Sequence, residues 1–197
     1  MTKQFSAACE RNCQPILAIL RELLPHPARV LEIGSGTGQH AVVFGAHLPH
    51  VTWQTSDLPH NHASIHAWMN EARLPNVLPP LTLDTAAGNW PQEQFDAVFS
   101  ANTCHIMAWE DVQAMFAGIG QVLRAGGVAC IYGPFNYGGK FTSESNAIFD
   151  ASLKAQAAHM GIRDFEAVDR LAVEHDLELL QDHAMPANNR LLVWRRR

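Results

Sequence analysis

The five residues Gly34-Ser35-Gly36-Thr37-Gly38 follow the apolar run Arg29-Val30-Leu31-Glu32-Ile33 and precede a helical stretch from Gln39 to Leu48. Glycines at alternate positions remove Cβ atoms where a chain has to turn tightly against a ligand, and the amides opening the next helix point the same way. The G-x-G-x-G spacing departs from the G-x-G-x-x-G dinucleotide fingerprint. The last glycine is not followed by the lysine and hydroxyl residue of a phosphate-binding P-loop. Asp57 lies about 20 residues on, at the end of a second strand, where a carboxylate can accept both hydroxyl hydrogens of a ribose. Loop and acid together point to an adenosine-type cofactor.

Asn102 and His105 follow a strand at Phe95 to Ala101, at the edge where open α/β sheets place ligands. His105 is a candidate general base, or else a surface histidine with a hydrogen-bonding role. Tyr132 ends a fifth strand at the same rim and reads either as a second base or as a packed aromatic with a bonded hydroxyl. Arg11-Asn12 and Asn188-Asn189 reach that rim only if their segments fold across it. Turn chemistry alone accounts for the asparagine pair, whereas the planar cation of Arg11 suits a carboxylate. Arg163-Asp164 reads as an internal ion pair or a cap, and Trp90 as a pocket wall or as packing. Eleven histidines require a metal site to be weighed. No tight set of histidine, cysteine and carboxylate forms, since His60 and His62 are two apart and His40 and His47 seven apart. No metal is expected, and the absence of a G-x-S-x-G elbow argues against a hydrolase.

These residues have to be held by an alternation of strand and helix. Strands are expected at Arg29–Ile33, Val51–Thr55, Val77–Leu83, Phe95–Ala101 and Val128–Tyr132, and helices at about Pro15–Leu24, Gln39–Leu48, His60–Ala72, Trp109–Leu123, Glu144–Met160 and Phe165–His175. Parallel neighbours need crossover helices, so the sheet is doubly wound. The last two strands, Glu178–His183 and Arg190–Trp194, are joined by the short Met185–Asn189 turn and form an antiparallel hairpin at one edge. The expectation is an α/β, Rossmann-like, seven-stranded and mostly parallel sheet in one domain over residues 1–197. Residues 1–28 cover it, 29–133 form the cofactor-binding core, and 134–197 carry substrate-side helices and the hairpin.

Composition narrows the partners. A formal charge of −5 gives no field that draws nucleic acid, and no apolar run approaches the roughly 20 residues of a bilayer span. Hydrophobic residues at 47% are enough to bury a core, and four cysteines with no C-x-x-C pair fit a reducing, cytoplasmic address. Oligomeric state is not legible from one chain.

Val30 to Gly38, Asp57, Asp84, Phe95-Asp96-Ala97-Val98 and Leu123-Arg124-Ala125-Gly126-Gly127 together resemble the class I S-adenosylmethionine-dependent methyltransferases. The resemblance implies S-adenosylmethionine as cofactor, with Glu32, Gly34, Ser35, Gly36 and Gly38 at its methionine part. It also implies Asp57 at the ribose and Asp84 at the adenine amino group, with Leu58 and Thr85 next to them in the candidate cofactor-binding set, which Asn102 joins from the end of the fourth strand, where its side chain can face the transferred methyl. Asp84 also reads as a simple turn or cap residue. A closer similarity runs through Phe5-Ser6, Glu10-Arg11-Asn12, Tyr132-Gly133-Pro134-Phe135, Phe141 to Asn146, Gly161-Ile162-Arg163-Asp164 and Met185 to Asn189. These stretches are similar to an uncharacterised methyltransferase-like group that includes methyltransferase-like protein twenty-six. The group implies a methyltransferase fold without an established substrate; by their places at the rim, His105 and Tyr132 are the candidate catalytic residues and Arg11, Asn12, Phe135, Asn188 and Asn189 the candidate acceptor-binding residues. The acceptor is expected to be a small molecule. The alternative is a noncatalytic cofactor-binding module acting through protein contacts.

Overall fold

The computed structural model describes residues 3–197, so the first two positions of the expected N-terminal segment lie outside the described residues. Among the described residues six α-helices and nine strands follow in the order α1 (Ala7–Leu23), β1 (Ala28–Ile33), α2 (Gln39–His47), β2 (Val51–Asp57), α3 (Pro59–Ala72), β3 (Val77–Thr82), β4 (Phe95–Ala101), α4 (Trp109–Val122), β5 (Leu123–Gly133), β6 (Phe135–Asn136), α5 (Glu144–Gln156), β7 (Arg163–Asp164), α6 (Phe165–Glu174), β8 (Leu177–Met185) and β9 (Asn189–Arg196), with a 3-10 turn at Pro186–Asn188 before β9. Seven strands form one sheet in the order β3-β2-β1-β4-β5-β9-β8. The first five are parallel, and β9 runs antiparallel to both β5 and β8. The doubly wound sheet with a closing hairpin is therefore the class I methyltransferase fold.

Alternation along the central strands divides the apolar residues between two cores. Val30, Ala97, Phe99, Cys130, Tyr132 and Val193 face α1 and α2. Leu31, Val98, Ile131, Leu192 and Trp194 face α4 and α6. This parity puts the Tyr132 side chain on the α1 side of the sheet.

Four features differ from the sequence reading. Helix α1 begins at Ala7, not near Pro15, because Ser6 caps it by accepting from the Cys9 amide at 3.3 Å. Pro15 lies within the helix and deprives the Arg11 carbonyl of its i+4 donor, a cost of about 3 kcal/mol in an isolated helix. Burial of Cys13, Ile16, Leu17 and Leu20 offsets it. Arg11 and Asn12 are therefore helical residues, not residues preceding a helix. Strand β5 starts at Leu123, with a register shift before Val128 and Gly126 at φ 79° where the expected turn lay. A two-stranded parallel pair, β6 with β7, replaces the expected loop. Arg163 makes no ion pair with Asp164 and instead donates to three backbone carbonyls, Cys104 (3.0 Å), His159 (2.9 Å) and Met107.

Trp90 proves to be packing. Its indole lies on α4 where a Cβ on Gly118 would fall 1.7 Å from the ring. Gly to Ala inside a helix ordinarily gains up to about 1 kcal/mol. Here the clash reverses the sign, and Gly118→Ala is expected to lose about 1–3 kcal/mol in urea unfolding. A neutral or stabilising result would show that Trp90 can move aside.

Candidate active site

A cleft of about 500 Å³ opens where β1, β2 and β4 end, lined by Gly34, Ser35, Gly36, Asp57, Asn102 and His105 among others. The glycine loop is shaped by two different needs. Gly36 sits at φ 55° with nothing within 4 Å of where a Cβ would be, so a side chain there would be both strained and projected into open space. Gly38, the residue before α2, allows close packing instead, since its Cβ would stand 2.9 Å from the Ile65 Cα of α3. Gly38 does not line the cleft.

The loop is tied down from below. The Ser35 amide donates to the Ser56 carbonyl at 2.9 Å. The Ser35 hydroxyl donates to Glu32 Oε2 at 2.8 Å, and the Trp53 indole donates to the same oxygen at 3.0 Å. Glu32 is 1% exposed. Burial pushes its carboxyl up to about 7, against the pull of the Trp53 and Ser35 donors. It anchors the loop beneath the cleft and is not one of the cleft's lining residues.

Asp57 joins the loop to the end of β2. Its Oδ2 accepts from the Gly36 amide at 2.6 Å, and its Oδ1 accepts from the Leu58 amide at 2.7 Å and from Asn61 Nδ2 at 2.9 Å. A carboxylate offers about four acceptor sites, so one more donor fits, and a second only if Asn61 turns away. The expected grip on both ribose hydroxyls is thus reduced to one in this arrangement. Leu58 lines the cleft mouth.

Asp84 and Thr85 are not brought to the cleft. Asp84 Oδ1 accepts from the Ala86 amide at 3.0 Å, and the Asp84 amide donates to Asn89 Oδ1 at 3.0 Å, the local turn chemistry of an aspartate after a strand.

His105 stands in the loop after β4, buried, with its ring edge-on to Phe149 at 5.4 Å. Burial, then the Arg163 charge, pushes its imidazole down to about 4. It is neutral near pH 7 and offers a free ring nitrogen to the cleft, though as a weak base. Arg163 also fixes this loop through the carbonyls of Cys104 and Met107.

A smaller pocket of about 120 Å³ adjoins the cleft through Ala8 and Asn102 and is lined by Arg11, Asn12, Tyr132, Ala187 and Asn189. Asn102, at φ 60°, stands between the two cavities, its amide donating to the Tyr132 carbonyl at 2.8 Å. Burial pushes the Tyr132 phenol above its ordinary value, although Asn12, Asn189 and Arg11 act the other way. A phenol held protonated serves as a donor, which corrects its expected role as a base. Asn188 faces elsewhere: its Nδ2 donates to Ser145 Oγ at 3.2 Å and its carbonyl accepts from Asn146. Phe135 is 1% exposed, belongs to the core on the α4 side and touches neither cavity, so its expected contact with an acceptor is not formed.

Sequence reasoning missed the contribution of α1 and of His40. Ser6, Cys9 and His40 line the cleft. His40 Nε2 lies 2.7 Å from Asn12 Oδ1 and Nδ1 lies 3.6 Å from Cys9 Sγ. Burial pushes this imidazole down to about 4, so it is neutral, with Nε2–H donating to Asn12. The position of His40 directly after the glycine loop was a usable signal. Phe149 and Cys9 carried none. Among the described residues no group of three potential metal ligands forms, and no helix is long and apolar enough to cross a membrane.

A family model described as "Protein of unknown function (DUF938)" matches residues 3–196. Among solved structures, an O-methyltransferase family protein from Burkholderia thailandensis is similar with a TM-score of 0.82 at 16% identity, over 93% of this chain and 55% of that one. An apo S-adenosylmethionine-dependent methyltransferase, SibL, gives 0.81 at 18% identity, over 96% and 56%. PigF, solved with SAH, gives 0.78 at 16% identity, over 93% and 61%. The chain spans a little over half the length of these proteins.

Proposed function

The chain belongs to the DUF938 family, whose description assigns no reaction, and we propose that it is an S-adenosylmethionine-dependent methyltransferase acting on a hydroxyl of a small molecule. The observation that carries this reading is the meeting of Asp57 with the Gly36 amide at the floor of the large cleft. That geometry offers a ribose hydroxyl a fixed carboxylate. The open space at Gly36 gives the rest of a nucleoside amino acid room against bare backbone. The cleft volume lies within the usual range for small-ligand sites. The solved structures with this fold include one named as an O-methyltransferase family protein and another, PigF, solved with SAH. Similarity to the group of methyltransferase-like protein twenty-six, through the stretches quoted above, is part of the same reading. So is a reducing, cytoplasmic setting, in keeping with four free cysteines.

The cofactor supplies an activated methyl group on a positively charged sulfur. What this chain adds is orientation and exclusion of water, which can be worth several kcal/mol. Gly34, Ser35, Gly36, Asp57, Leu58 and Asn102 would hold the cofactor. His105, neutral and lining the cleft, would take the proton that an acceptor hydroxyl gives up. The neutrality of His40 and His105 also keeps positive charge away from a cationic donor.

Calorimetric titration tests the reading first: S-adenosylhomocysteine should bind with one-to-one stoichiometry and NAD should not. With an acceptor in hand, His105→Ala is expected to lower turnover about tenfold or more, the low end for so weak a base, while leaving S-adenosylhomocysteine affinity within a few-fold. Full turnover in that variant would remove the base assignment, and tight NAD binding would replace the cofactor.

A further inference from the structure

We infer that the small pocket beside Tyr132 recognises a carboxylate on the methyl acceptor, making the substrate a small hydroxy-acid, such as a hydroxybenzoate. This rests on the methyltransferase reading and adds the chemical class of its substrate.

The pocket presents donors and no acid. Arg11 lines it from the exposed side of α1, and none of the ion pairs formed among the described residues involves Arg11. No aspartate or glutamate is among its lining residues. The orientation of Asn12 is set from behind. Its Oδ1 is taken by His40 Nε2 at 2.7 Å, so its Nδ2 is the end left to face Tyr132. Asn189 turns its Nδ2 to the backbone, toward the Pro186 carbonyl at 3.2 Å and the Ala187 carbonyl at 3.4 Å, and adds no acid to the pocket. The Tyr132 hydroxyl lines the pocket with Arg11 and the Asn12 amide and is a donor a ligand there can meet. A hydroxyl hydrogen and an adjacent guanidinium fork are the donor set for a carboxylate.

Position separates this anion site from the cofactor's own charges. The sheet runs β2-β1-β4-β5-β9. Asp57 and the glycine loop mark the β2 and β1 end, whereas Tyr132 and Asn189 belong to β5 and β9. Neighbouring strands are about 4.8 Å apart, so β5 lies roughly 10 Å beyond β1. Asn102, after β4, stands between. An acceptor anchored by its carboxylate at β5 would direct its remaining atoms back past Asn102 into the cleft where His105 lies. The volume of about 120 Å³ suits a small acid and not a polymer.

The experiment is calorimetry on the full chain saturated with S-adenosylhomocysteine, titrating salicylate and 4-hydroxybenzoate, each against its primary amide. The expected result is at least one acid binding tenfold or more tightly than its amide, with that preference lost in Arg11→Gln and reduced in Tyr132→Phe. Arg11→Gln alters an exposed helical position and should change S-adenosylhomocysteine affinity by less than twofold. A tenfold loss of S-adenosylhomocysteine affinity in that variant would overturn the inference, because Arg11 would then be holding the cofactor's own carboxylate. Equal binding of acids and amides, or no binding of either by the saturated wild type, would overturn it while leaving the cofactor reading intact. Failure of the wild type to bind S-adenosylhomocysteine at all would overturn the methyltransferase reading and this inference with it.

Discussion

Replacing Asp57 by alanine is expected to weaken S-adenosylhomocysteine binding about 100-fold or more. Two losses add. A ribose hydroxyl gives up a hydrogen bond to a charged acceptor, worth about 1.5–3 kcal/mol, and about 1.4 kcal/mol corresponds to each tenfold in affinity. The Gly36 and Leu58 amides and Asn61 also lose the carboxylate that holds them, so the loop has to be ordered again at binding. Asp57→Asn should fall between the two, because it keeps one acceptor oxygen but turns an amide group toward other donors. Calorimetry well below the thermal midpoint separates the affinity change from any loss of stability. An affinity within threefold of the wild type would mean that the nucleoside lies elsewhere, and the floor of the cleft would need another explanation.

The parts of the molecule legible in its sequence are those set by local rules. Alternating apolar strands, crossover helices and the glycine loop after β1 depend on spacing along the chain, and the sheet order follows from them. What escaped was decided by contacts between distant segments. The helical spacing of apolar residues begins only at Ile16, which points to a start near Pro15, yet Ser6 caps the helix earlier. That displacement moves Arg11 and Asn12 onto a helix facing Tyr132. Asp84 and Asp57 carry the same signal, an acid after a strand. Only the second meets a glycine amide, because β2 lies next to β1 and β3 lies at the edge. The protonation states of Glu32, His40 and His105 were equally hidden, since they follow from burial and not from residue type.

Those protonation states set how the fold responds to acid. Unfolded histidine takes a proton near pH 6.5, whereas folded His40 and His105 refuse one until about 4. Between those limits the unfolded chain binds more protons, so stability falls as pH drops, by up to roughly 3 kcal/mol for each imidazole. Glu32 works in the other direction. Its folded carboxyl keeps a proton up to about 7 while the unfolded one releases it above about 4.5, so acidification over that window adds stability. Two imidazoles against one carboxyl leave a net loss of about 2–3 kcal/mol between pH 7 and pH 4.5, measured by urea unfolding. Glu32→Gln removes the opposing group and should make the acid loss steeper, whereas His105→Gln should make it shallower. Protonation of the same two histidines puts positive charge on the cleft wall. S-adenosylmethionine, with its charged sulfur, should therefore lose affinity below about pH 5 more steeply than uncharged-sulfur S-adenosylhomocysteine. Parallel loss of the two ligands would show that neither imidazole faces the sulfur.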